Sequence, residues 1–276
     1  MKTMLCAAAA IGALTAASAA QAQTAGDWTG AYIGGVAGYG WQAENDGDES
    51  IVFDTNLDGT YGDTVRTGTG ADAFAAGFCD GQTFNPTRAG GCGGDEGGPE
   101  FGVRMGYDWQ FGNIVAGVLG EAVRTDVKDS VTAFSGTPAA YTMRRDLNGL
   151  LAARARVGYA VGNTLPYVTG GYAWADMDRS FSTTNTANTF TEVSESSKWT
   201  DGWQLGGGVE HKFTENVSLG LEYLYTRLDD DGYTVRASGG PAGGPFTSVN
   251  GAGTDFNRTS DEFNIHSVRM AATYRF

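Results

Sequence analysis

Charged side chains at alternate positions of otherwise apolar stretches are the first residues here that could do chemistry together. Arg104, Glu121, Arg154, Arg156, Glu210, Lys212, Glu222 and Arg269 are of both signs, and in extended chain such positions fall on one face. Charges gathered on the inside of a narrow sheet are costly unless paired, so the expected chemistry is an interior network of salt bridges and hydrogen bonds. A second constellation, Asp54, Asn56 and Asp58 before Gly59, places oxygens at alternate positions ahead of a glycine turn, as calcium loops do. Val65 stands where a bidentate glutamate belongs and Asp63 is the available substitute, so calcium is a minor expectation and no other cofactor is expected. Cys79 and Cys92 flank a glycine-rich stretch, and in an exported chain such a pair is read as a disulfide rather than a metal site. The two histidines, His211 and His266, have no nucleophile or carboxylate at recognisable catalytic spacing, so no enzyme is expected.

These residues need elements to position them. Tight turns at Phe111-Gly112-Asn113, Gly162-Asn163-Thr164 and Thr214-Glu215-Asn216 read as hairpins. Long polar segments at 44–99, 127–143, 179–198 and 229–261 separate the hairpins. Eight strands are expected, at about 28–43, 100–111, 113–126, 144–161, 165–178, 199–213, 217–228 and 262–276. Every even-to-odd connection is short and every odd-to-even one long, the asymmetry of an antiparallel up-and-down barrel with short periplasmic turns and long extracellular loops. Alternation supports this: Val268, Met270, Ala272, Tyr274 and Phe276 would face outward, and Ser267, Arg269, Ala271, Thr273 and Arg275 inward. Strands two, four, six and seven alternate likewise, whereas three and five do so weakly. Apolar outside and polar inside is the reverse of a soluble ligand-binding barrel. Trp28 and Trp41 differ in parity, so the first strand is expected to need an inserted residue, a bulge near Gly34-Gly35, for both to face lipid. All six tryptophans lie in strand candidates, as an interfacial girdle requires.

Composition agrees. The chain has 276 residues, 43 glycines, 12% aromatics and a formal net charge of -14. No nucleic-acid partner is expected, because phosphate binding rests on lysine and arginine. Lys2, an apolar run from Met4 to Ala17 and Ala20-Gln21-Ala22 read as a signal peptide cleaved after Ala22, leaving with Cys6 and exporting a single barrel domain over 23–276. Twelve acidic residues against Arg66 and Arg88 fall between Glu44 and Glu100. That loop is expected to be a solvated acidic surface, open to divalent cations or basic partners.

The segments Asp27-Trp28-Thr29-Gly30-Ala31-Tyr32-Ile33-Gly34-Gly35, Gly38-Tyr39-Gly40-Trp41 and Leu165-Pro166-Tyr167-Val168-Thr169-Gly170-Gly171, with the ending Tyr274-Arg275-Phe276, resemble the small porin-like or immunogenic outer-membrane barrels of Gram-negative bacteria. The likeness covers the strands, and the long first loop with its cysteine pair departs from it. The resemblance implies an outer-membrane location, contact with its lipid, and Tyr274 and Phe276 as an assembly signal read by the barrel-assembly machinery. No peptidoglycan-binding domain is expected after the barrel. Eight strands enclose a space that side chains can fill. The expected function is therefore envelope architecture and interaction of the loops with host or surface ligands, around a plugged lumen. Limited diffusion of small solutes is the alternative.

Overall fold

The alternation of side chains along the chain is what folds it. Eight strands, β1 (Gly30–Gln42), β4 (Gly98–Phe111), β5 (Ile114–Ser135), β6 (Ala139–Tyr159), β7 (Thr164–Thr183), β9 (Trp199–Lys212), β10 (Val217–Asp229) and β13 (Glu262–Arg275), form an antiparallel ring. Its order is β5-β4-β1-β13-β10-β9-β7-β6, and β6 pairs back onto β5. The computed structural model describes residues 26–42, 49–194, 198–230 and 232–276. The segment read as a signal peptide, with Cys6, lies outside the described residues.

Outward positions carry grease, including Val103, Leu151, Val157, Leu205, Leu221 and Met270, all exposed on the isolated chain. Inward positions on the same strands are buried and carry the charges. Strands β5 and β7, weak in sequence, alternate in burial through their ring portions; the sequence hides this because inward Val115, Leu119, Leu165, Tyr167 and Ala173 are apolar like outward Ile114, Val118, Val168 and Trp174. The short turns sit together at one end, where Gly112 and Gly162 adopt φ +62 and +58, a region open to glycine at little cost.

Three expectations need correction. The first strand has no bulge: its register with β13 runs unbroken from Tyr32 opposite Arg275 to Gln42 opposite Ile265. Parity is instead resolved by Trp28, which turns inward and is fully buried, while Trp41 and the other four tryptophans face out. The stretch 127–143 is not a loop. β5 and β6 continue through it as a long hairpin that turns after Ser135, because Val127, Val131, Ala133, Tyr141 and Met143 have buried partners there.

The remaining long connections are not wholly solvated coil either. The first supplies β2 (Ile51–Asp54) and β3 (Phe78–Asp80), the third β8 (Thr189–Glu192), and the fourth β11 (Val235–Ser238) and β12 (Thr254–Arg258). Four of these pair as an antiparallel sheet in the order β2-β12-β11-β8, and β3 adds to the extended part of β5. Together with the β5–β6 hairpin they enclose a core of Ile51, Phe53, Val65, Phe74, Tyr141, Met143, Val235, Phe246 and Phe256. The result is a folded head at the end of the ring opposite the short turns. Phe256 packs edge-on against Phe53 with centroids 4.9 Å apart, and Phe53 stacks on Phe74 at 4.3 Å. Such aromatic pairs add to area burial.

Candidate functional site

Inside the ring the charges stand in tiers. Nearest the short turns, Asp108 accepts from Arg156 Nε at 2.9 Å and from Arg275 Nη2 at 2.7 Å, while Arg156 Nη1 reaches Glu210 Oε2 at 2.8 Å. Ser218 Oγ donates to the other Glu210 oxygen at 2.6 Å. Both guanidinium groups lie over the Tyr32 ring, at 4.9 and 4.8 Å, a favourable cation–π arrangement in a desolvated site. In the middle tier Glu121 and Glu222 are shared by Arg104 and Arg154. Arg104 Nη2 is 2.7 Å from Glu121 and 2.9 Å from Glu222, and Arg154 is 3.1 Å from each. Tyr167 donates its hydroxyl to Glu222 at 2.8 Å. Above it, Arg269 joins Glu121 to Glu100, with Ser267 Oγ donating to Glu100 at 3.0 Å.

Five carboxylates (Glu100, Asp108, Glu121, Glu210, Glu222) thus face five guanidinium groups (Arg104, Arg154, Arg156, Arg269, Arg275), none more than 5% exposed. That balance matters, since a charge buried without a partner costs far more than a paired one. Room comes from small residues opposite the large ones: a Cβ on Gly106 would sit 2.5 Å from the Tyr32 ring. Lys212 stands apart from the carboxylates. Its ammonium lies 4.8 Å from the Trp28 ring centroid and donates to the Asp27 carbonyl.

The upper part of the lumen is apolar. Leu147, Leu150, Ala152, Ala173, Ala175, Met177, Leu228, Phe263 and Ile265 point inward and pack with Val127. Over this plug lies a second buried ionic cluster that ties ring to head. Arg145 donates to Asp129 at 2.6 Å, Asp230 at 3.0 Å and Glu49 at 3.2 Å. Arg258 donates to Glu49 at 2.9 Å and Asp129 at 2.8 Å, and Arg179 to Asp230 at 2.6 Å. Burial pushes the Asp129 carboxyl up, but Arg145 and Arg258 outweigh it and hold the group below the usual carboxylate range.

The structure brings together seven of the eight lumen charges named from sequence and leaves Lys212 at the edge. Asp108, Glu100 and Arg275 belong with them, and the same alternation marks them, since all three fall at inward positions of β4 and β13. The upper cluster carries no such signal: Asp129, Asp230 and Arg258 lie in stretches that read as polar loop. The calcium-like loop is engaged otherwise. Asp54 accepts the backbone N–H groups of Leu57 at 2.6 Å and Gly59 at 2.8 Å, Asp63 accepts from Thr55, and Asn56 and Asp58 bond each other in solvent. Asp54 thereby caps the turn that holds Asn56 and Asp58. His211 meets Thr164 near the short turns, and His266 lies outside the ring against Tyr223 and Trp41. Tyr274 and Phe276 pack edge-on, half exposed at the end of β13.

Cys79 and Cys92 are joined, closing a loop with sequence separation 13. A loop of that size restricts the opened chain by about 3 kcal/mol in the loop-entropy treatment. Reduction is therefore expected to lower the melting temperature of the head while leaving the ring intact. Circular dichroism with and without reductant on the refolded protein checks this, and an unchanged melt would show that backbone pairing alone holds the loop.

Comparison with known proteins gives a consistent picture. A family model described as outer membrane protein beta-barrel domain matches residues 6–276. The 31 kDa outer-membrane immunogenic protein of Brucella melitensis is 29% identical over 178 residues, 63% of this chain and 65% of that protein. The chain thus spans just under two thirds of that relative's length. A 22 kDa outer membrane protein of Rhizobium leguminosarum is 28% identical over 222 residues, covering 79% of this chain and 73% of the relative. Among solved structures, the Escherichia coli outer membrane protease OmpT aligns over 93% of this chain and 99% of its own at a TM-score of 0.43 and 11% identity.

Proposed function

Because the chain belongs to the outer membrane protein beta-barrel family, and so to the bacterial outer membrane, we propose that it is a non-conducting barrel serving envelope architecture and displaying its head for contact with molecules outside the cell. One observation carries the reading: a charge-balanced stack under an apolar plug fills the ring from the short turns to the head. Ions crossing it would have to break buried pairs and then desolvate among Leu150, Met177 and Phe263, and both steps are costly. The head supports the second half of the reading, since a packed core can hold exposed residues in fixed positions as coil cannot. Lipid contact along the ring follows from the same outward apolar face, and recognition of the Tyr274–Phe276 end by assembly machinery belongs to the proposal.

Purified protein in planar bilayers is expected to give no steady conductance. Long-lived nanosiemens-scale openings, retained after the head is trimmed, would overturn the plug. A second reading, slow passage of small solutes, is favoured by Arg154 Nε, Gln204 Oε1 and Arg275 Nε, which are buried and make no hydrogen bond to the described protein. Such groups hold water, and uptake of a small uncharged solute by protein-loaded liposomes distinguishes the two.

A further inference from the structure

The ionic cluster at the base of the head has more acid than base. Among the described residues, Glu49, Asp80, Asp95, Asp129 and Asp230 face Arg145, Arg179 and Arg258. They come from every element around the cluster. Glu49 precedes β2, Asp80 lies on β3, Asp129 on β5, Arg145 on β6 and Arg179 on β7; Asp230 follows β10, Arg258 ends β12, and Asp95 lies just past the Cys79–Cys92 loop, in the strap that runs back to β4. Carboxylate oxygens of Glu49, Asp80 and Asp129 lie within 4.8 Å of one another. Arg145 and Arg258 serve Glu49 and Asp129, but Asp80 Oδ1 is buried and accepts no hydrogen bond. Asp95 accepts only a backbone N–H, that of Ser130 at 2.9 Å, beside Asp129. The neighbouring cations are committed elsewhere: Lys128 to Glu96 and Asp126, and Arg144 to Asp146 and Gln82.

We propose that the strap carrying Asp80 and Asp95 is an acid-set latch: protonation of these surplus carboxylates seats it on β5, and loss of the proton loosens this side of the head. Like charges this close do not all ionise readily. Burial, and then Asp129, push Asp95 up to about 7, and burial with Asp129 and Glu49 raises Asp80 as well. The sign follows. A carboxyl whose folded value is raised binds its proton more tightly closed than open, so the closed strap is favoured in acid and loses that advantage as the pH rises from the ordinary carboxylate range through about 7. The strap's own backbone bonds, Gly81 N to Ser130 O, Gln82 to Gly93 and Glu96 to Lys128, define what would open.

The test is hydrogen exchange on the whole refolded protein in detergent with EDTA, comparing about pH 5 with about pH 8 after correction for intrinsic rates. Protection of residues 78–96 is expected to fall roughly tenfold at the higher pH, with the β9–β10 hairpin unchanged as internal reference. Asp95→Asn and Asp80→Asn, which keep shape and remove charge, should hold the strap protected at both values, the doubly substituted chain most fully. His266→Asn, altering the one imidazole at this end, should retain the wild-type response. Equal protection of the wild-type strap at both pH values, or a pH response undiminished in the doubly substituted chain, would overturn the latch.

Discussion

Glu121→Ala is expected to lower the unfolding free energy of the barrel by about 3–5 kcal/mol, the loss found when one partner of a buried ionic group is removed. Glu121 accepts from Arg104, Arg154 and Arg269 together, so its removal leaves three guanidinium groups around Glu222 and Glu100 in a space without bulk water. The magnitude comes from that uncompensated charge rather than from the lost attraction alone. Replacing Glu121 and Arg104 together by apolar residues of similar volume should recover much of the loss, because the remaining charges again balance. Urea unfolding in lipid or detergent, followed by the slower gel migration of the unfolded chain, measures both. Equal midpoints for wild type and Glu121→Ala would show that water, not carboxylate, solvates the arginines. By contrast, Lys198→Ala breaks an exposed pair with Asp178 and should leave the midpoint where it was.

The second large effect is expected at Phe256→Ala. Its ring is fully buried and touches Phe53, Phe74, Tyr141, Phe181, Phe190 and Phe246, and truncation of such a side chain costs about 3–5 kcal/mol. The loss should fall on the head alone, since the ring's own contacts are backbone pairs and the lumen network. Limited proteolysis is then expected to cut within 49–97 and 232–261 in the variant while the ring stays folded and heat-modifiable in gels. Cleavage no faster than in wild type would mean that the head is held by its ionic base and not by its aromatic centre.

How much of this could be read from the chain differs between its two parts. Ring strands announce themselves because one face is bathed in lipid: Val103, Met105, Tyr107 and Trp109 alternate with Arg104, Gly106 and Asp108, and that period fixes element, face and lumen charge together. Trp28 escaped because a girdle argument assigns every tryptophan to lipid, while this one has Lys212 and Arg275 beside it inside. The head is illegible for a different reason. Its core is assembled from short pieces, Ile51–Asp54, Thr189–Glu192, Val235–Ser238 and Thr254–Arg258, each too brief to show a period and set in glycine, serine and acid. Phe74 stands among alanines and Phe246 between a proline and a threonine, neither in a periodic pattern, and only their meeting in space makes them a core. The same holds for the ionic base, where Asp129 and Arg145 face each other across the β5–β6 hairpin and Arg258 arrives from the fourth excursion.

The order of the ring places the first strand against the last, β1 beside β13. Just beyond the rim, β2 pairs with β12, and Glu49 is bound to Arg258 as Phe53 is to Phe256. The first and last ring strands are therefore stitched twice, once within the bilayer and again above it. This seam between the first and last ring strands is clasped at the outer lip, and prying it apart requires dismantling the crown first.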